Sequence, residues 1–105
     1  MQNSKMLEFY MLWVDFAMKA KCGAEEDLRE NVDELRNAFQ KALNIQDQIF
    51  ISFRSNANDT KINYSFRGNA RQADRLQDPS LRYDFEMNLP KELRKYFWKI
   101  ALNSE

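Results

Sequence analysis

An α+β fold, with helices packed on one face of a three-stranded antiparallel sheet in the order α-α-β-β-β-α, is what three features of the 105-residue sequence predict. Residues 6–20, MLEFYMLWVDFAMKA, are apolar around most of a helical circumference. Residues 24–43 repeat apolar side chains at helical spacing, and three later runs, 49–54, 61–67 and 81–87, alternate apolar and polar with a period of two. The length is that of a single domain, 1–105.

The first helix is placed by its few polar residues. Projected at about 100° per residue, Lys5, Glu8, Asp15 and Lys19 fall on one narrow stripe. A helix against one layer needs an apolar stripe of about 100°, and this one has roughly twice that width, so the sequence predicts a helix covered on two sides. Leu7, Met11 and Met18 make one flank, with Tyr10 and Val14 beside them. Methionine-rich apolar surfaces adapt to partners, so these five residues are the candidate protein-binding surface, a second copy of the chain being the first candidate partner. Gly23 suits the left-handed cap that ends such a helix.

The second helix follows at once, and with so short a connection the two should form an antiparallel hairpin. Leu28, Val32, Leu35, Ala38 or Phe39, and Ala42 make its apolar stripe. Glu25, Glu26 and Asp27 suit the positive end of its dipole, and Asn44 is its natural stop. Ile49, Ile51 and Phe53, then Ile62, Tyr64 and Phe66, define two strands of a hairpin around a turn-rich loop at 55–59. Their wet face carries Ser52, Arg54, Lys61, Asn63, Ser65 and Arg67, with Phe50 as its one apolar exception. After Gly68 a polar connection has room for one helical turn around 70–76. Leu81, Tyr83, Phe85 and Met87, alternating with Arg82, Asp84 and Glu86, predict the third strand of a meander. Pro90 opens a last helix whose buried stripe is Leu93, Tyr96, Phe97, Ile100 and Ala101.

Composition narrows the function. With 44% hydrophobic and 30% charged residues the chain is neither disordered nor fibrous. It has no histidine and one cysteine, Cys22, so the commonest general base and every Ser-His or Cys-His nucleophile pair are missing, as are His/Cys metal clusters. No metal, cofactor or catalytic residue is expected, and no enzyme. Glu8 and Asp15 interrupt the apolar run before it reaches the length of a membrane span. The lone cysteine and the absence of a signal-peptide pattern predict an intracellular, cytoplasmic protein.

The formal net charge is zero, yet the charges are segregated. Residues 24–44 carry six acids against three bases, and residues 91–102 carry Lys91, Arg94, Lys95 and Lys99 against Glu92. The acidic and basic helices are the first candidates to neutralise each other. The order of elements from the second helix onward, ending in a basic helix, resembles double-stranded-RNA-binding domains in outline; Asn88-Leu89-Pro90 stands where that family has a glycine-bearing loop, and no residue is carried over. Two functions follow as expectations. The first is a small non-enzymatic protein-binding protein of inhibitor, immunity or accessory type, dimerising through its first helix and binding an unidentified protein. The alternative is a nucleic-acid-binding module using Arg67 with Lys91, Arg94, Lys95, Trp98 and Lys99, on the polar sheet face and the last helix.

Overall fold

A computed structural model describes the backbone of residues 11–103 and the side chains of residues 11–97. The chain runs β1 (Leu12–Lys21), α1 (Glu25–Glu30), α2 (Val32–Leu43), β2 (Ile49–Ser55), β3 (Asp59–Gly68), α3 (Ala70–Arg75), α4 (Pro79–Met87), α5 (Lys91–Asn103). The order is therefore β-α-α-β-β-α-α-α, and the predicted α-α-β-β-β-α chain with its leading helix hairpin and β-meander is overturned at two elements.

The first correction is the opening element. Residues 12–21 form a strand, with Val14, Met18 and Ala20 buried and Phe16 partly buried on one side, and Trp13, Asp15, Ala17 and Lys19 exposed on the other. Trp, Val and Phe fill a pleated surface well, and their alternation with Asp15 and Lys19 is the strand's period of two. Trp13 and Ala17 on the outer side are themselves apolar, which is why the same residues also read as a helix greasy all round. Gly23, at φ +86°, serves the turn out of β1 rather than a helix C-cap.

The second correction is at residues 79–87, which are helical. Asp78 accepts the backbone N–H of Ser80 and Pro79 occupies the first turn, a strong helix start. Leu81 and Phe85 are buried together with Glu86, and Leu89 follows just past the helix end. The spacing 81, 85, 89 satisfies periods of 2 and about 3.6 alike, so the alternation did not discriminate; the Asp-Pro start did. The sheet still has three strands, because β1 fills the place the expected third strand would have taken.

Other elements stand as expected. The helix at 24–43 is divided at Asn31 into α1 and α2, burying Leu28, Leu35, Ala38, Phe39 and Ala42, and it stops at Asn44 in the left-handed conformation. The β2–β3 hairpin buries Ile49, Ile62, Tyr64 and Phe66. The expected turn near residue 70 is α3, closed by a capping box between Asn69 and Gln72. In α5, Leu93 and Phe97 are buried and Tyr96 is partly buried, while the side chains of Ile100 and Ala101 lie outside the described residues.

The strand order is β1-β3-β2, both outer strands antiparallel to β3. β1 and β2 are thus parallel to one another, joined through α1 and α2, with β3 inserted between them. The helices cover the inner face. There Phe39 from α2 stacks on Tyr64 at 4.2 Å between ring centroids, while Phe85 from α4 meets both edge-on and reaches Phe97 of α5. Such stacked and edge-on arrangements are the favourable aromatic geometries. None of the helices among the described residues is long and apolar enough to cross a membrane.

Candidate nucleic-acid interface

With the helices on one side, no described element covers the other face of the sheet, and the strand register arranges its side chains in rows. Trp13 lies opposite Arg67. Asp15, Ser65 and Phe50 form the next row, then Ala17, Asn63 and Ser52, then Lys19, Lys61 and Arg54. Trp13 and Phe50 are 54% and 53% exposed, and their rings meet at 6.0 Å with a 36° tilt. One end of the face is therefore a bare aromatic pair beside a guanidinium; four residues along β2, about 13 Å away, is a row of three cations.

That row is electrostatically unfavourable by itself. Residues directly opposed across strands have Cβ atoms about 5 Å apart, and like charges there destabilise the sheet. Lys19 is relieved by Asp59 at 3.8 Å. Among the described residues, Arg54, Lys61 and Arg67 have no acidic partner within ion-pair distance. Asp15, the acid nearest the aromatic pair, accepts a hydrogen bond from Ser65 Oγ at 2.5 Å. The face carries excess positive charge and two uncovered rings, in a chain whose net charge is zero.

The sequence-predicted sites are only partly brought together. Of the predicted protein-binding flank, Val14 and Met18 are 7% and 8% exposed on the inner face of β1, and Met11 is exposed just before it. Leu7 and Tyr10 lie outside the described residues. Among the nucleic-acid candidates, Arg67 is on the open face, while α5 packs on the core side against β1. Lys91 and Lys95 are exposed there, and Arg94 is half-buried, its Nε donating to the Leu89 carbonyl at 3.1 Å. The side chains of Trp98 and Lys99 lie outside the description. The acidic α1 and basic α5 meet through the Tyr96 hydroxyl, which donates to Asp27 at 2.5 Å and is thereby held above the usual phenol range. Arg82, Asp84 and Glu86, expected on the wet sheet face, stand on α4 instead.

Trp13, Lys19, Arg54, Phe50 and Lys61 are the residues that the site-level reading of the sequence left out. Phe50, Arg54 and Lys61 follow from the hairpin's alternation alone; Trp13 and Lys19 require residues 12–21 to be a strand. Two tuned acids lie elsewhere. Ser55 Oγ donating to Glu25 at 2.5 Å, with Arg29 beside it, lowers that carboxyl below its ordinary value, and Ser80 does the same for Asp78. No group of three Asp, Glu or Cys side chains is placed to hold a metal ion among the described residues.

Comparison with protein-family models, with curated proteins and with solved structures finds no match to this chain. The outline resemblance to double-stranded-RNA-binding domains also lapses, because the strand it needed at 81–87 is a helix.

Proposed function

We propose that the protein is a non-enzymatic binding module whose open sheet face takes a short single-stranded nucleic acid. The observation that carries this reading is the coexistence, on one uncovered face, of the Trp13–Phe50 pair and the opposed cation row Lys19–Lys61–Arg54. Aromatic side chains stack on bases of any sequence, and a positive groove tracks the phosphates. A duplex keeps its base faces stacked inside, so exposed rings favour a single strand. Phosphates over the row would also relieve its like-charge repulsion, which no protein group among the described residues does for Lys61 or Arg54. The site in this reading is the sheet rather than the basic helix, and the first-helix dimer is set aside because residues 12–21 are a strand with Val14 and Met18 on its buried side.

Fluorescence anisotropy of labelled ten-nucleotide uridine and thymidine oligomers tests this. Three phosphate contacts predict a slope of about −2 for log affinity against log salt. Replacing Trp13 and Phe50 by Ala should cost about 1–3 kcal/mol per stacked base and leave that slope unchanged. Absence of binding at low salt, or binding indifferent to Trp13 and Phe50, refutes the proposal.

A further inference from the structure

β1 ends the sheet, with β3 along one side and, among the described residues, no strand along the other. An edge strand presents a row of N–H and C=O groups that its own sheet does not pair, and proteins guard such edges with short strands, bulges, proline or charge. β1 lacks the first three guards. It is 10 residues long, contains no proline, and pairs with β3 without a bulge from Leu12 to Lys21. Its charges are of both signs, Asp15 against Lys19 and Lys21. The other edge differs: β2 has 7 residues with Arg54 as its one charge, and Arg36 Nε donates to the carbonyl of its first residue, Ile49.

The order of those charges selects a partner. When two copies of a strand pair antiparallel about a two-fold axis, only an axis centred on a residue keeps buried side against buried side. Centred on Ala17, the pairing sets Asp15 of each copy opposite Lys19 of the other, giving two opposite-charge pairs on the exposed side. It also sets Phe16 against Met18 and Val14 against Ala20 on the buried side, and engages residues 13–21. Other registers do worse. Centring on Phe16 places no acid opposite a base, centring on Asp15 or Lys19 opposes like charges, and centring on Met18 engages only residues 15–21. That last register also relies on Lys21, which already lies over the Tyr96 ring at 5.8 Å. Asp15 and Lys19 have capacity left. Asp15 accepts Ser65 Oγ through one oxygen, and Lys19 Nζ is 3.8 Å from Asp59, beyond hydrogen-bond distance. We infer that a second copy of this chain pairs along β1 in this register, joining the two three-stranded sheets into one. A two-fold contact closes on itself, so it covers both β1 edges without forming a polymer. It uses the strand edge and not the sheet face, and so stands or falls independently of the nucleic-acid reading.

The test is sedimentation equilibrium of the full chain, without nucleic acid, at up to about 1 mM protein. A dimer and nothing larger is expected. Asp15→Lys and Lys19→Glu each set like charges opposite one another twice and should weaken the dimer about tenfold or more. The two substitutions combined restore opposite charges and should return the dissociation constant to within about threefold of wild type. Cross-linking reads the register without disturbing these charges. In a Cys22→Ser background, Ala17→Cys places two thiols on the axis with Cα atoms about 4.5–5.5 Å apart, within disulfide reach, whereas Phe50→Cys on β2 lies two strands away. Oxidation should link Ala17→Cys into a covalent dimer and leave Phe50→Cys unlinked. A monomer throughout that range, open polymers, single variants without effect, a charge exchange that restores nothing, or linkage of Phe50→Cys as readily as Ala17→Cys would each overturn the inference.

Discussion

Lys61→Glu is expected to make this protein more stable and a weaker binder at the same time. Lys61 sits on the central strand with Lys19 opposite on one side and Arg54 opposite on the other. The substitution turns two like-charge pairs into two opposite-charge pairs, each worth roughly 0.2–1 kcal/mol. All three side chains are exposed, which puts each pair in the lower half of that range, and Lys19 is already partly satisfied by Asp59. The sum is a gain of about 0.4–1.2 kcal/mol, and 1 kcal/mol corresponds to about 4–8 °C in Tm for a domain of this size. Thermal and urea unfolding at about 20 mM and about 1 M salt measure it, since the screening length falls to about 3 Å in the latter. The gain should shrink sharply at high salt, while in the binding assay the variant loses one phosphate contact, reducing the salt slope by about 0.7. Unchanged or lower stability at low salt, or a gain that persists at 1 M, would refute the argument that these cations repel one another while awaiting a polyanion.

Two further outcomes concern the interior. Tyr64 buries its hydroxyl without a hydrogen-bond partner, and burial pushes that phenol far above its usual range; Tyr64→Phe keeps the stack on Phe39 and should gain on the order of 1 kcal/mol in urea unfolding, whereas a loss of that size would mean the hydroxyl is satisfied. Burial raises the Glu86 carboxyl above its ordinary value, with Arg82 and Arg94 opposing, and one of its oxygens has no partner. Because the folded pKa is the higher one, this contribution is complete below the unfolded carboxyl value, about 4.3, and is lost as pH rises through the raised folded value. Glu86→Gln should therefore be most stabilising relative to wild type at neutral pH and least so near pH 4; a gap between the two unfolding free energies that fails to widen across that interval contradicts the assignment.

The hairpin of β2 and β3, the stripe of α1 and α2, the stop at Asn44 and the burial of Leu93 and Phe97 in α5 were legible in the sequence, because each has a single period and local punctuation. Residues 12–21 and 79–87 exchanged states for different reasons. In the first, Trp13 and Ala17 place apolar groups on both sides of the strand, and what decides between strand and helix is β3, far along the chain. In the second, Leu81, Phe85 and Leu89 fit either period, and the deciding signal, Asp78 capping Ser80 with Pro79 between them, was local and could be read. The candidate site divides the same way. Phe50 and the cations of the hairpin belong to its alternation, but the partner ring and the third cation of the row are defined by pairing that the sequence does not display.

That pairing has a consequence for how the chain is made. β1 joins β3 across separations running from thirty-eight residues, Lys21 with Asp59, to fifty-six, Leu12 with Gly68. At about 5–20 residues per second of synthesis, β1 emerges several seconds before anything exists for it to hydrogen-bond. Through that interval Val14, Phe16 and Met18 travel in a nascent chain with no sheet to enter, and closing so long a loop is slow even once β3 arrives. Of the three strands, β1 therefore waits longest between its own synthesis and that of the strand it pairs with.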